Sequence, residues 1–103
     1  MNSLKQRADA FESQYARQQE LLFKVKARRN ALVGRWAAAA MGRTDAEGYA
    51  RDLASGQANE PHRLLERLRQ DFEAAGVSVK DSEIEARMTE LLDQATEDLY
   101  RRA

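Results

Sequence analysis

Four residues of one stretch have the chemistry to recognise a small nucleotide: three cations for its phosphates and one ring for stacking. Lys24, Arg28 and Arg35 are spaced by four and seven, which places them along one face of a helix, with the ring of Trp36 beside them. Cations pair with phosphates or carboxylates, and an indole is a stacking surface. The same three charges also read as an ordinary solvated face. A small nucleotide suits them better than a nucleic-acid duplex, because the isoelectric point of about 6.6 is far from a basic profile. A second set is Leu4, Ala8, Phe11 and Tyr15, spaced 4-3-4. Two aromatics one helical turn apart can anchor a helix in a partner's groove, or pack on the protein's own bundle. Covalent chemistry has little to work with. There is no cysteine and a single histidine, His62, so neither a disulfide framework nor a metal site is expected. The glycines form no phosphate-cradling loop. The chain reads as a non-enzyme without a required cofactor, and His62 as a solvent-facing residue.

The elements that position these residues read as helices. Residues 23–42 hold the lone tryptophan, five cations and four successive alanines, with no acid. They make the central helix, which Gly42 ends, because glycine enters the left-handed conformation at little cost. The apolar phase running through Leu22, Val25, Leu32 and Trp36, extended by Ala39 and Ala40, predicts its inner face. Arg29 falls on that face, so it needs a partner, and the acidic C-terminal half offers carboxylates. Gly34 weakens the helix but admits a close neighbour. Upstream, residues 3–20 continue the same phase as a thin helix, joined directly or hinged near residues 17–20. About 15 residues of isolated helix are marginal in water, so this arm is expected to fray or to dock conditionally.

Downstream, Thr44 and Glu47 have capping-box spacing ahead of a short helix with the stripe Ala46, Tyr49, Ala50 and Leu53. Asn59 is expected to cap a third helix with Pro61 in its first turn and the stripe Leu64, Leu65, Leu68, Phe72 and Ala75. Gly76 stops it. The last helix carries the cleanest stripe: Ile84, Met88, Leu91, Leu92, Ala95 and Leu99.

The balance of 33% charged and 43% hydrophobic residues over 103 suits one globular helical domain. The zero net charge hides a split: residues 1–43 sum to +6 and residues 44–103 to −6. The halves can neutralise each other across the bundle, or the N-terminal part can act as a basic arm. No signal peptide and no apolar run of about 20 residues is present, which predicts a cytoplasmic protein without membrane insertion. The fold expected is all-α: a small four-helix bundle (residues 20–103) with a mobile, partly helical N-terminal arm (residues 1–19). Arg29, Gly34, Gly42 and Gly76 carry structural roles.

At the central helix a family resemblance emerges. Phe23-Lys24, Ala27-Arg28-Arg29-Asn30, Leu32-Val33-Gly34, Trp36-Ala37-Ala38 and Met41-Gly42 resemble the family of small ATPase-inhibitor zeta subunits of alphaproteobacterial rotary F-type ATP synthases. Phe11-Glu12, Tyr15-Ala16 and Glu20-Leu21 extend it upstream. Tyr49-Ala50, Asp71-Phe72, Ala75-Gly76-Val77, Ile84, Met88 and Glu90-Leu91 extend it downstream. Gln14 and Gln18 depart from it, standing where the family carries lysine and aspartate. The resemblance implies an inhibitor of ATP hydrolysis, monomeric when free and inner-membrane-associated through the synthase. It would act by inserting the N-terminal segment, with Leu4, Ala8, Phe11 and Tyr15 as contacts, between catalytic-head and rotor subunits. The alternatives are an adenine-nucleotide-binding sensor that takes ATP or ADP as regulatory ligand at Lys24, Arg28, Arg35 and Trp36, or a generic helical adaptor.

Overall fold

The computed structural model describes residues 3–56 and 59–102. Met1, Asn2 and Ala103, and Gln57 and Ala58 of the expected linker, lie outside the described residues. Four helices follow one another: α1 (Ser3–Met41), α2 (Ala46–Ser55), α3 (Pro61–Ala74) and α4 (Asp81–Arg102). No strand occurs among the described residues. The protein is an all-α bundle, drawn out to 66 Å in one direction against 24 and 20 Å in the others. The length comes from α1, whose 39 residues rise about 58 Å. It runs unbroken through residues 17–20, so arm and bundle share one helix.

Two glycines set the corners. Gly42 has φ +73 and Gly76 φ +71, a region in which a side chain is strained. After α1 the Arg43 N–H donates to the Ala38 carbonyl at 2.9 Å and Gly42 N–H to Ala39 at 3.1 Å. After α3 the Val77 N–H donates to Phe72 and Gly76 N–H to Glu73, both at 3.0 Å. These are paired Schellman closures, which use carbonyls that a helix end leaves free. Val77 and Val79 then fold onto the core.

Helices α2 to α4 turn the stripes their sequences predict toward the core, with Ala46, Leu65, Leu91, Leu92 and Leu99 half-buried at its margin. Tyr49, Ala50, Leu53, Leu64, Leu68, Phe72, Ile84, Met88 and Ala95 are buried, but Ala75 is exposed because it lies past the end of α3. Each fully buried leucine or isoleucine contributes about 1.5–3 kcal/mol of transfer free energy.

The expected inner face of α1 needs correction. Leu22, Ala39 and Ala40 are exposed and Leu32 and Trp36 only half-buried. The buried residues are Val25, Arg29, Asn30, Val33, Gly34, Ala37 and Ala38. They form two rows of fourfold spacing, 25-29-33-37 and 30-34-38, the ridges along which helices interlock. The predicted stripe repeats every 3.5 residues, and such a stripe drifts about 20° per heptad around a straight helix. Two helices, α2 and α4, pack on this half of α1, so a broad face is covered rather than a narrow seam. A Cβ built on Gly34 would lie 2.9 Å from the Ala50 Cα and 3.2 Å from Leu53 Cδ1. The missing side chain thus sets how closely α2 approaches.

The expected caps also differ. No side-chain cap closes α2: Asp45 occupies the N-cap position, its carboxylate is taken by Arg43, and Glu47 is taken by Arg35. Thr44 is exposed. Glu60, not Asn59, occupies the N-cap position of α3, with Pro61 first in the helix. The Asn59 carbonyl is used instead by Arg29.

Candidate functional site

The N-terminal half of α1 covers nothing. Every residue from Ser3 to Glu20 is exposed. Leu4 is 80% exposed, Phe11 71% and Tyr15 57%, and Ala8 is open as well. A large apolar side chain in that state is unusual for a lone domain when several share one stripe. These four residues do share one: with Gln18, Leu22 and Val25 they advance in steps of 4-3-4-3-4-3, the spacing of a helix seam that meets another helix. Phe11 and Tyr15, with Gln14 and Gln18, line a shallow cleft.

The basic set lies on the other half of the helix. Lys24 to Arg35 spans about 16 Å of axis, so the three cations form a line rather than a cluster. Each meets a carboxylate of this chain. Lys24 Nζ lies 3.3 Å from Glu20, one turn back. Arg28 donates through Nε and Nη2 to Asp98 of α4, both at 3.3 Å. Arg35 grips Glu47 of α2 with two bonds, at 2.9 and 3.2 Å. That grip, with the charge of Arg35, holds the Glu47 carboxyl below its usual range. Phosphates arriving on this line would have to displace Asp98 and Glu47. Trp36 turns inward instead, edge-on to Phe72 at 5.6 Å between centroids, with the Arg87 guanidinium 5.7 Å from its ring centre.

Arg29 has no carboxylate within ion-pair distance among the described residues. This corrects the expectation of an acidic partner. Its Nε donates to Asn30 Oδ1 at 3.0 Å and its Nη2 to the Asn59 carbonyl at 2.9 Å, while Asn30 Nδ2 donates to the Leu53 carbonyl at 3.1 Å. Only 3% of Arg29 is exposed. Burial lowers its pKa, and the charge of Glu60 pulls the other way. The cation therefore acts as a clamp: it ties α1 to the start of α3 through a backbone carbonyl.

A comparison of the whole sequence with protein families decides the assignment: the family described as ATPase inhibitor subunit zeta matches residues 1–98. The chain belongs to this family. No curated protein matched the sequence. An inhibitor subunit is a regulatory protein rather than a catalyst. No helix among the described residues is long and apolar enough to cross a membrane, and no group of metal-ligating side chains occurs among them.

One polar node of this zeta-family bundle has no sequence signature. The buried Tyr49 hydroxyl donates to Asp71 Oδ2 at 2.5 Å, and Arg67 Nε donates to the same oxygen at 2.7 Å. The Arg43 guanidinium lies 4.5 Å from the centre of the Tyr49 ring. Burial first, then the Asp71 bond, raise the Tyr49 pKa well above its ordinary value. Tyr49 sits on the predicted stripe of α2, so its apolar half was visible. Its hydrogen bond depends on α3 arriving with Asp71 22 residues later. The Arg67 and Asp71 spacing, one turn apart, was the only local hint.

Proposed function

We propose that this protein restrains ATP hydrolysis by the rotary F-type ATP synthase, and that it does so by inserting its N-terminal segment between catalytic-head and rotor subunits. The observation that carries this reading is the exposed row Leu4, Ala8, Phe11 and Tyr15 on a helix that its own bundle leaves bare. Membership of an inhibitor family supports it. Forming a helix of some 18 residues in isolation is opposed by nucleation. Here the buried half of α1 supplies the nucleus, and the arm only propagates from it. The arm then gives up less freedom on binding than a disordered segment would. Residues 3–20 extend about 27 Å, long enough to reach into a subunit interface while the bundle stays outside. In this reading the free protein is a cytoplasmic monomer that reaches the membrane only through the synthase.

The test is hydrolysis by the purified catalytic head with full-length protein and with protein lacking residues 1–19. The full-length chain should inhibit and the truncated chain should not. Equal inhibition by both, or by neither, defeats the insertion reading. Replacing Phe11 and Tyr15 together by alanine should weaken inhibition at unchanged helicity.

A further inference from the structure

The exposed seam does not stop where the arm meets the bundle. Its next residue, Gln18, borders two clefts at once. One is the arm cleft of Phe11, Gln14 and Tyr15. The other, of about 350 Å³, lies between α1 and the last turns of α4 and is lined by Leu21, Leu22 and Val25 opposite Thr96 and Tyr100. Leu22 is 46% exposed and Tyr100 61%. Of the six large hydrophobic residues that stand exposed among the described residues, five lie on this strip: Leu4, Phe11, Tyr15, Leu22 and Tyr100.

We propose that the docking surface runs on from the arm, over Gln18, into the groove formed by Leu22 and Tyr100, and that one amphipathic helix of the ATPase occupies its full length. The inference rests on the inhibitory reading above and extends it from the arm to the bundle. Three observations select a helix as occupant. The open seam keeps the 4-3-4-3 spacing of helix-against-helix packing from Leu4 to Leu22. The groove shares Gln18 with the arm cleft, so a helix that is seated on Phe11 and Tyr15 and continues past Gln18 would meet Leu22 and Tyr100. Among the described residues the groove walls carry no charge: Gln18, Gln19 and Thr96 are the polar ones, which fits an apolar ridge edged with uncharged polar side chains and not a strongly charged segment.

Gln18 then has a role of its own. A single polar residue in an otherwise apolar seam fixes the register of the paired helices at some cost in affinity. Tyr100 has the profile of an anchor residue: aromatic, carried on a rigid helix and half open to solvent.

The test uses full-length protein against the purified catalytic head, with four variants read for half-inhibitory concentration, helicity and melting temperature. Leu22→Ala with Tyr100→Ala should weaken inhibition about tenfold or more, with the melting temperature little changed because both side chains are about half exposed. Gln18→Leu should tighten inhibition, by about threefold or more, because it completes the apolar seam. Phe11→Ala with Tyr15→Ala is the control for the arm. Loss of inhibition in that control alone, with Leu22→Ala/Tyr100→Ala and Gln18→Leu both unchanged, overturns the extended surface and leaves the arm reading standing. No effect in the control removes the arm reading and this one with it. A dimer of the free protein that forms with concentration and is abolished by Leu22→Ala/Tyr100→Ala would place a second copy in the groove and likewise overturn the proposal.

Discussion

The two halves of α1 belong to one unbroken helix and obey opposite rules. From Val25 onward the buried residues are two valines, three small residues and two polar ones: Gly34, Ala37 and Ala38 admit α2 at close range, Arg29 reaches the Asn59 carbonyl before α3, and Asn30 reaches the Leu53 carbonyl of α2. From Ser3 to Glu20 the apolar residues are large, aromatic and exposed. Close packing within the chain favours small side chains, because backbones must approach. Docking onto a partner favours large ones, because a few anchors carry most of the binding energy. Apart from Trp36, which packs on Phe72, the aromatic residues of the helix stand where its own fold does not bury them.

Substituting one leucine on the arm and one on α2, where it packs against the buried half of α1, tests that division most strongly. Leu53 is fully buried, wedged against Gly34, so Leu53→Ala should lower stability by about 2–5 kcal/mol. Leu4→Ala should leave the urea midpoint where it is and appear only in the inhibition assay. A stability loss at Leu4 comparable to that at Leu53 would mean that the arm packs on its own bundle in solution.

The next effect belongs to Tyr49 and appears in alkali. Burial and Asp71 keep its proton on in the folded chain at a pH where the unfolded chain gives it up. Its contribution is fully present below about pH 10. Above that the unfolded state binds fewer protons than the folded one, and stability falls by about 1.4 kcal/mol per pH unit. Tyr49→Phe should flatten this slope. At neutral pH it should cost about 1 kcal/mol for the lost bond, with Asp71 still held by Arg67. Denaturant melts between pH 8 and 11 check both. An unchanged slope in Tyr49→Phe would locate the alkaline weakness elsewhere.

Much of the fold was legible because helices α2, α3 and α4 each bury one stripe. Their large apolar residues recur at helical spacing, and Gly42 and Gly76 mark the corners. The face of α1 was not legible for the reason just argued. A reading that follows bulk selects Leu22 and Trp36, whereas the buried rows are built on Gly34, Ala37 and Ala38. The partner of Arg29 was missed because a guanidinium can be satisfied by carbonyls, which every residue carries and no sequence pattern marks. The capping box failed because Arg35, twelve residues before Glu47, competes for that carboxylate. The exposed arm residues Leu4, Ala8, Phe11 and Tyr15 were named from spacing alone. The groove at Tyr100 was not, since it exists only once α4 returns alongside α1.

Gly34→Ala sharpens the comparison at a single atom. Alanine gains about 1 kcal/mol over glycine in a helix interior. Its Cβ would press on the Ala50 Cα at 2.9 Å, and backbone yields less readily than a flexible side chain. Overpacking costs about 1–3 kcal/mol, so the net change should be a loss of about 1 kcal/mol. Gain of stability would show that α2 sits less tightly on α1 than its geometry states.

The smallest effect separates the charges that join elements from those that do not. Arg35 holds Glu47 across α1 and α2, whereas Lys24 and Glu20 both lie on α1. The Glu47 carboxyl titrates below its ordinary value of 4.5, through the bond from Arg35 and then its charge. A depressed carboxyl contributes stability that is present above the ordinary value and disappears as pH falls through the folded one. Arg35→Gln removes the cause of the depression, so the melting temperature should fall less steeply between about pH 5 and pH 3 than in the unaltered chain. The pair is exposed, so the difference should be small at low salt and fade near 1 M salt, where screening reaches about 3 Å. Lys24→Gln should leave that acid limb unchanged, because its pair joins no second element to α1. An equal response from the two substitutions would mean that the Arg35–Glu47 bridge does nothing to hold α2 in place, leaving Gly34, Ala50 and Leu53 to do so alone.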